Sequence, residues 1–205
     1  VWYKAYNGIL DAYLGEVPQE FDYEGKTYTP KSFSASFVKL NPNEYVELTS
    51  YMDHDYFRYY RLMIPDNWDY EEYYNVPMGN LTGTIELALN QGYTVAWDAD
   101  VSDKFFNHKK GLALVPEKDW EDMRTGERDS VFIVPTKQKV ITPEMRLAAY
   151  KNYTTTDDHI MHIIGLVEDQ DGNTWYKVKN SWAADSNKFG GYFYVSQSYI
   201  LLRTI

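Results

Sequence analysis

The sequence predicts an α+β protein that is mainly helical in its first half and mainly β-sheet in its second half. At 205 residues the chain is long enough to bury a core, and its aromatic content, which includes 20 tyrosines, favours strands. Apolar residues at helical spacing mark the N-terminal region. Three apolar segments separated by turn residues, HIMHIIGLV, TWYKVKNSW and GGYFYVS, mark the C-terminal region.

The first half contains predicted helices separated by loops. Apolar residues between Tyr3 and Leu14 recur at helical spacing and predict an amphipathic helix that lacks an N-cap. Two prolines and a glycine interrupt residues 15–33, which are predicted as a loop with a short helix starting at Thr29-Pro30. EYVELTSY predicts a strand. A further helix is predicted to end near Gly92.

The second half is predicted as strands around one helix. TVAWDADV and KKGLALVP predict strands, and the charged residues 117–141 are predicted to be irregular and to lie on the surface. Thr142 as N-cap and Pro143 as first helical residue predict the helix ITPEMRLAAYKNY. Asp171-Gly172 predicts a hairpin turn between the first two of the three C-terminal strands.

Composition excludes several classes of function. The net charge of −10, with no cluster of Lys and Arg, argues against nucleic acid, and no apolar run reaches the roughly 18 residues of a membrane span. The absence of cysteine excludes disulfides and thiolate metal sites. The triplet Asp53-His54-Asp55 is not predicted to bind metal, because neighbouring strand residues point to opposite faces. We therefore predict neither a metal nor a cofactor.

His159 and Asn180 are the candidate catalytic residues. A histidine at the start of one strand and an asparagine in the next fit a thiol-protease pair, in which an amide oxygen orients the imidazole that takes the thiol proton. Trp182 falls on the face of Asn180 if the strand continues, and would shield the His–Asn hydrogen bond from water. The spacing alone leaves open that His159 is a surface histidine near an unrelated asparagine. His162 lies on the opposite strand face and is predicted to be buried and hydrogen-bonded, whereas Asp157 and Asp158 are predicted to be solvated in a loop.

The sequence around these residues resembles that of a known family. DDHIMHIIGL, WYKVKNSW and GGYFYVS resemble the histidine and asparagine segments of papain-like cysteine peptidases. LGEVPQEF, YTPKSF, EYVELTSY, YNVP and VAWDADV resemble blocks of the bleomycin hydrolase and aminopeptidase C type, in conserved order from about residue 10 to 200. The resemblance implies a papain-like α+β fold, with a helical insert region over 1–92 and an antiparallel β-barrel domain over 93–205. It also implies that His159 is the catalytic histidine, Asn180 its asparagine and Trp182 the supporting tryptophan.

The sequence departs from the family pattern at three points. Ile160 replaces a small residue after the histidine, and Ala183 replaces a glycine after Asn-Ser-Trp, so the following turn has to form without easy access to positive φ. No glutamine precedes a Cys-Trp or Ser-Trp pair, so the family's nucleophile motif is absent.

The resemblance implies a cysteine peptidase, of aminopeptidase type, that hydrolyses peptide substrates. We expect the catalytic Cys on an N-terminal segment or a second chain, because the chain opens in the middle of a helix. The family resemblance also implies a homo-oligomer and a cytoplasmic location, although a signal lost upstream would allow export. A catalytically inactive pseudo-peptidase or peptide-binding module remains the alternative.

Overall fold

A computed structural model describes residues 1–205, which divide into two compact units, 1–46 and 47–205. The elements of the first unit are α1 (Trp2–Leu14), β1 (Phe21–Tyr23), β2 (Lys26–Tyr28) and α2 (Pro30–Phe33). Helix α2 starts as predicted, because Thr29 Oγ1 accepts a hydrogen bond from Ser32 N and Pro30 is the first helical residue. The predicted division at residue 92 into an insert and a barrel stays a prediction.

The β1–β2 hairpin lies within residues 15–33, so the prediction of a loop there is wrong. Glu24 and Gly25 join the strands, and both have positive φ (49° and 76°), which suits the twist of a two-residue hairpin. Aromatic rings pack around this hairpin and α2; they are Phe21, Tyr23, Tyr28, Phe33 and Phe37. Helix α1 forms where the apolar spacing predicts it, but none of its side chains is buried.

The second unit opens with a three-stranded sheet. Its strands are β3 (Leu48–Thr49), β4 (Arg58–Arg61) and the central β5 (Glu72–Asn75). Asn75 is fully buried and ties this sheet to the loop after β3: its Oδ1 accepts from Tyr51 N at 2.8 Å and its Nδ2 donates to Tyr51 O at 2.9 Å. His54, from the Asp-His-Asp triplet, stacks on the ring of Tyr60 with centroids 4.1 Å apart.

A second, curled sheet carries the C-terminal strands. Its strands are β6 (Val95–Ala99), β7 (Phe106–Asn107), β8 (Leu112–Ala113), β9 (His159–Glu168), β10 (Thr174–Lys179) and β11 (Tyr192–Ser196), in the order β6-β9-β10-β11-β8-β7. Neighbours are antiparallel except β11 and β8. The β9–β10 hairpin turns where predicted, with Gly172 at φ 80°.

Helices pack against this sheet to form the main core. They are α3 (Met78–Asn90), α5 (Pro143–Lys151) and α6 (Gln197–Arg203), whereas α4 (Thr125–Ser130) contributes no residue to this core. Helix α5 starts as predicted, since Thr142 Oγ1 accepts from Met145 N and Pro143 is the first helical residue. Each large apolar side chain buried here stabilises the fold by about 1.5–3 kcal/mol. The largest members of the core are Trp97, Met161, Ile163, Tyr176, Val178, Phe193, Val195, Tyr199 and Ile200.

Two parts of the second unit are more ordered than the sequence predicts. Residues 117–141 include α4 and cover a small apolar cluster formed by Phe105, Leu114, Met123 and Val131. Helix α6 is absent from the prediction because seven residues are too few for a clear periodicity. Its Tyr199 OH donates to Asp100 O at 2.8 Å, which holds the end of β6 beside the start of β9. None of the helices combines the length and apolarity needed to span a bilayer.

Candidate active site

His159 and Asn180 meet at the open end of the β9–β10 hairpin. His159 is the first residue of β9, and Asn180 follows the last residue of β10. His159 Nε2 lies 2.8 Å from Asn180 Oδ1. Asn180 is only 1% exposed, whereas the His159 ring is partly exposed. The structure therefore brings together the two residues that the sequence predicts as a pair.

A β-bulge in β9 decides which face of the sheet Asn180 occupies. The register between β9 and β10 shifts by one residue midway along the strands, and Ile164 is the extra residue. In the unshifted register, Asn180 would lie across from His162, on the face opposite His159. In the observed register, Asn180 lies across from Met161, which shares the face of His159, and the two site residues become diagonal neighbours.

The hydrogen bond also determines which nitrogen of His159 is basic. Asn180 Oδ1 can only accept, so His159 Nε2 is the nitrogen that carries hydrogen. The neutral ring then has its lone pair on Nδ1. A base whose ring is held in one orientation, with one nitrogen free to take a proton, meets the geometric requirement for general-base chemistry.

Trp182 covers the His159 ring. Strand β10 ends before it, so Trp182 lies in the following loop rather than on the strand face that the sequence predicts. Its ring stacks on His159 with centroids 5.6 Å apart and planes inclined by 29°. His108 and Phe106, from the β7–β8 region, meet Trp182 edge to face at 4.5 Å and 6.4 Å. The sequence analysis missed both, and no motif around NHKKG would have singled them out.

The loop after Trp182 depends on a glycine, but not at position 183. Ala183 has φ −53°, which any residue adopts, so the turn forms without positive φ at this position. Gly191 instead has φ 81°, and a Cβ there would lie 3.2 Å from Trp182 O and 3.3 Å from Ala183 O. The backbone of Trp182 thus packs directly against a residue that has to be glycine.

Two polar residues near His159, His162 and Asp157, differ from their predictions. His162 is exposed rather than buried, and its Nε2 bonds Thr94 Oγ1 at 2.6 Å. Asp158 is exposed in the loop before β9, as predicted, and its Oδ2 also accepts from the backbone N–H of Val101 and Ser102, which ties the start of β9 to the end of β6. Burial opposes ionisation of Asp158, but these hydrogen bonds and one from the Thr156 hydroxyl bring its pKa below the ordinary value.

Asp157 also differs from its prediction as a solvated loop residue. Burial, followed by a hydrogen bond to the Asp98 carboxyl group, raises the pKa of Asp157 to about 7. Asp98 lies on β6 directly across from Ile160. The two carboxyl groups therefore lie close together next to the site, and neither contacts His159 through a hydrogen bond.

Comparison with known proteins gives consistent results. The Peptidase C1-like family model matches residues 9–201. The chain is 28% identical over 199 residues to aminopeptidase G of Lactobacillus delbrueckii subsp. lactis, covering 91% of this chain and 42% of that protein. It is also 28% identical over 193 residues to aminopeptidase E of Lactobacillus helveticus, covering 87% of this chain and 41% of that protein. The chain thus spans about two fifths of the length of these relatives.

A solved structure shows the same fold. The crystal structure of PepW from Lactobacillus rhamnosis HN001 superposes with a TM-score of 0.70 at 19% sequence identity, covering 98% of this chain and 45% of that one. The predicted papain-like α+β fold and the predicted family resemblance are confirmed. The match over almost its whole length means that this chain belongs to the Peptidase C1-like family.

Proposed function

We propose that this chain supplies the histidine and asparagine of a cysteine peptidase that removes residues from the amino terminus of peptides. In this proposal His159 is the general base, Asn180 orients it, and Trp182 keeps water from their hydrogen bond. The nucleophilic cysteine and a glutamine that stabilises the oxyanion come from a segment outside these 205 residues, since the chain contains no cysteine.

The reaction follows from the tautomer of His159. The thiol proton passes to His159 Nδ1, and the thiolate attacks the peptide carbonyl. The imidazolium then gives its proton to the departing amine, which leaves a thioester. Nδ1 next takes a proton from water as the water attacks the thioester; the acid product leaves and the thiol is restored.

The observation that carries this proposal is the 2.8 Å contact between His159 Nε2 and Asn180 Oδ1 beneath the stacked indole of Trp182. That contact leaves Nδ1 as the basic atom and prevents the ring from turning. The aminopeptidase assignment is supported by the names of two relatives, aminopeptidases G and E.

The test compares two histidines of one strand in the full-length protein. Aminoacyl-coumarin amides with a free amino group, and the same compounds N-acetylated, serve as substrates. We expect hydrolysis of the free-amine substrates only, with complete loss after iodoacetamide treatment. His159→Ala should lower kcat by about 10³-fold, within the range that a positioned base contributes. The matched control His162→Ala lies on the exposed face and should leave kcat within about twofold of wild type.

Two results would contradict the proposal: hydrolysis that survives thiol alkylation, or equal losses in the two histidine variants.

An inactive peptide-binding protein is the second candidate, and one observation favours it. Ile160 follows His159 and is 66% exposed, so a large side chain stands where a substrate would pass the histidine. Labelling of the full-length protein with iodoacetamide separates the candidates. A cysteine that reacts quickly in wild type and slowly in His159→Ala supports the peptidase, because the imidazole generates the thiolate. Peptide binding without any such cysteine supports the binding protein.

A further inference from the structure

His108 contacts Trp182, the residue whose ring also stacks on His159. It begins the short turn His108–Lys110 between β7 and β8, and it is only 8% exposed. Its ring meets the indole of Trp182 edge to face, with centroids 4.5 Å apart and planes inclined by 74°. Trp182 stacks on His159 in turn. The indole therefore contacts two imidazole rings, of which only His159 belongs to the proposed catalytic pair.

The loop that follows Trp182 is attached to His108. Ser186 Oγ lies 2.8 Å from His108 Nε2. The side chain of Asn187 donates from Nδ2 to His108 O at 3.0 Å and to Tyr192 O at 2.9 Å. These contacts join the β7–β8 turn to the loop that carries the indole, so His108 connects two segments that are distant in sequence.

We propose that His108 is a positioning residue that keeps the indole of Trp182 over the His159–Asn180 hydrogen bond. The inference rests on the proposed peptidase function. His108 makes no hydrogen bond to His159 or Asn180, so in this proposal it acts on catalysis through Trp182. An edge-to-face aromatic contact backed by hydrogen bonds at the same ring fixes the indole more narrowly than packing alone.

The hydrogen bonds around His108 require that its ring is neutral. Asn187 Nδ2, a donor, lies 3.3 Å from His108 Nε2, so Nε2 serves as an acceptor and takes the hydrogen of the Ser186 hydroxyl. Protonation of Nε2 would set two donors against each other, and Nδ1 is buried without a protein partner. Burial accordingly lowers the pKa of His108 from its ordinary value.

No charged group compensates a protonated His108. The charged side chains of its own turn and of the loop packed against it are exposed; they are Lys109, Lys110, Asp185 and Lys188. His159 is the other titratable group that faces Trp182. Because the folded pKa is lowered, the stabilising contact is complete above the ordinary value of 6.5 and is lost as pH falls below it.

Tryptophan fluorescence tests the inference without any need for activity. The emission of Trp182 is obtained in the full-length protein as the difference between wild type and Trp182→Phe, followed against pH. We expect a step below about pH 6.5, because a charged imidazole in contact with an indole alters its emission. The step should persist in His159→Gln, which removes the other imidazole in contact with Trp182, and it should disappear when His108→Gln is added to that variant. A step that survives in the double variant, or its absence from His159→Gln, overturns the inference.

Kinetics supply a second readout. We expect His108→Ala to lower kcat about tenfold with KM within about twofold, since misplacing a catalytic group costs rate rather than substrate binding. His108→Phe restores a ring edge against Trp182 without a titrating group, so it should recover most of kcat and flatten the acid side of the pH profile. Wild-type kinetics in His108→Ala overturn the inference while leaving the peptidase proposal intact. Absence of hydrolysis in every form contradicts the peptidase proposal alone, because the fluorescence test still decides whether His108 controls Trp182.

Discussion

The two ends of the β9–β10 hairpin are held by contacts of different range. At the turn, the Asp169 carboxylate accepts hydrogen bonds from Asn173 N and Trp175 Nε1, each at 2.9 Å. Hydrogen bonds from Trp175 and then Asn173 lower the pKa of Asp169 to about 2. At the open end, His159 and Asn180 are 21 residues apart, and a loop and a second strand pair hold them in place. The turn is closed by its own residues, whereas the site is assembled from distant ones.

The two ends also differ in how their buried polar atoms are satisfied. Around the turn the side-chain polar atoms find partners within a few residues. Around the site, Asn180 Nδ2, Asp157 Oδ2 and His108 Nδ1 are buried without a hydrogen-bond partner. Leaving a buried polar group without a partner costs free energy of folding. We therefore expect changes at the turn to affect stability, and changes at the open end to affect catalysis.

The largest expected effect is on catalysis, from an asparagine at each end of the hairpin. Asn180→Ala removes the acceptor that orients His159, and we expect kcat to fall about 10²-fold, because the base remains but its ring is free to turn. Asn173→Ala, at the turn, is the matched control and should leave kcat within about twofold. Steady-state kinetics on the full-length proteins measure both. If the two variants lose kcat to the same extent, the two ends do not differ in the way we infer.

A smaller effect is expected from two glycines with the same backbone angle. Gly172, at the turn, has φ 80° and no atom within 4 Å of an added Cβ, whereas Gly191 has φ 81° and backbone oxygens at 3.2 and 3.3 Å. Gly172→Ala should therefore cost about 1 kcal/mol through φ alone and leave kcat unchanged. Gly191→Ala should lower the free energy of unfolding by at least about 1 kcal/mol more than Gly172→Ala does. It should also lower kcat several-fold, because the backbone of Trp182 has to move. Urea denaturation and kinetics measure the two quantities, and equal unfolding free energies would argue against the close packing at Gly191.

The smallest expected effect concerns pH. The folded pKa of Asp157 is about 7, against an ordinary value of 3.8, so its contribution to stability is complete below about pH 4 and is lost as pH rises through 7. Asp157→Asn cannot ionise, and we expect it to be more stable than wild type at about pH 8 and similar at about pH 4. Urea denaturation at both pH values provides the test. If the unfolding free energy of Asp157→Asn depends on pH as that of wild type does, groups other than Asp157 cause the dependence.

Elements with local signals were predicted well. Thr142 and Pro143 define the start of α5 through contacts within one helical turn, and Asp171-Gly172 defines the hairpin turn. The β1–β2 hairpin was missed because Glu24-Gly25 is a weaker turn signal than the prolines around it. Helix α6 was missed because its stability comes from burial of one face against the sheet rather than from a long periodic pattern.

The site was predicted only in part, because some of its contacts join residues that are distant in sequence. His159 and Asn180 were paired correctly because residues that flank a hairpin return to each other. Ile164, the bulge residue that moves Asn180 to the face of His159, carries no sequence signal, since its position depends on how β9 pairs with two neighbours at once. His108 was missed because it reaches Trp182 from another part of the chain.

The sequence by itself determined which residue types stand at the hairpin, where the turn lies and where the main helices begin, because each depends on neighbours a few positions away. Only the tertiary structure decided which face Asn180 occupies, which nitrogen of His159 stays basic and what holds Trp182 in place. Those outcomes depend on strand register and on contacts between distant segments, which are settled by packing the whole second unit rather than by any local pattern.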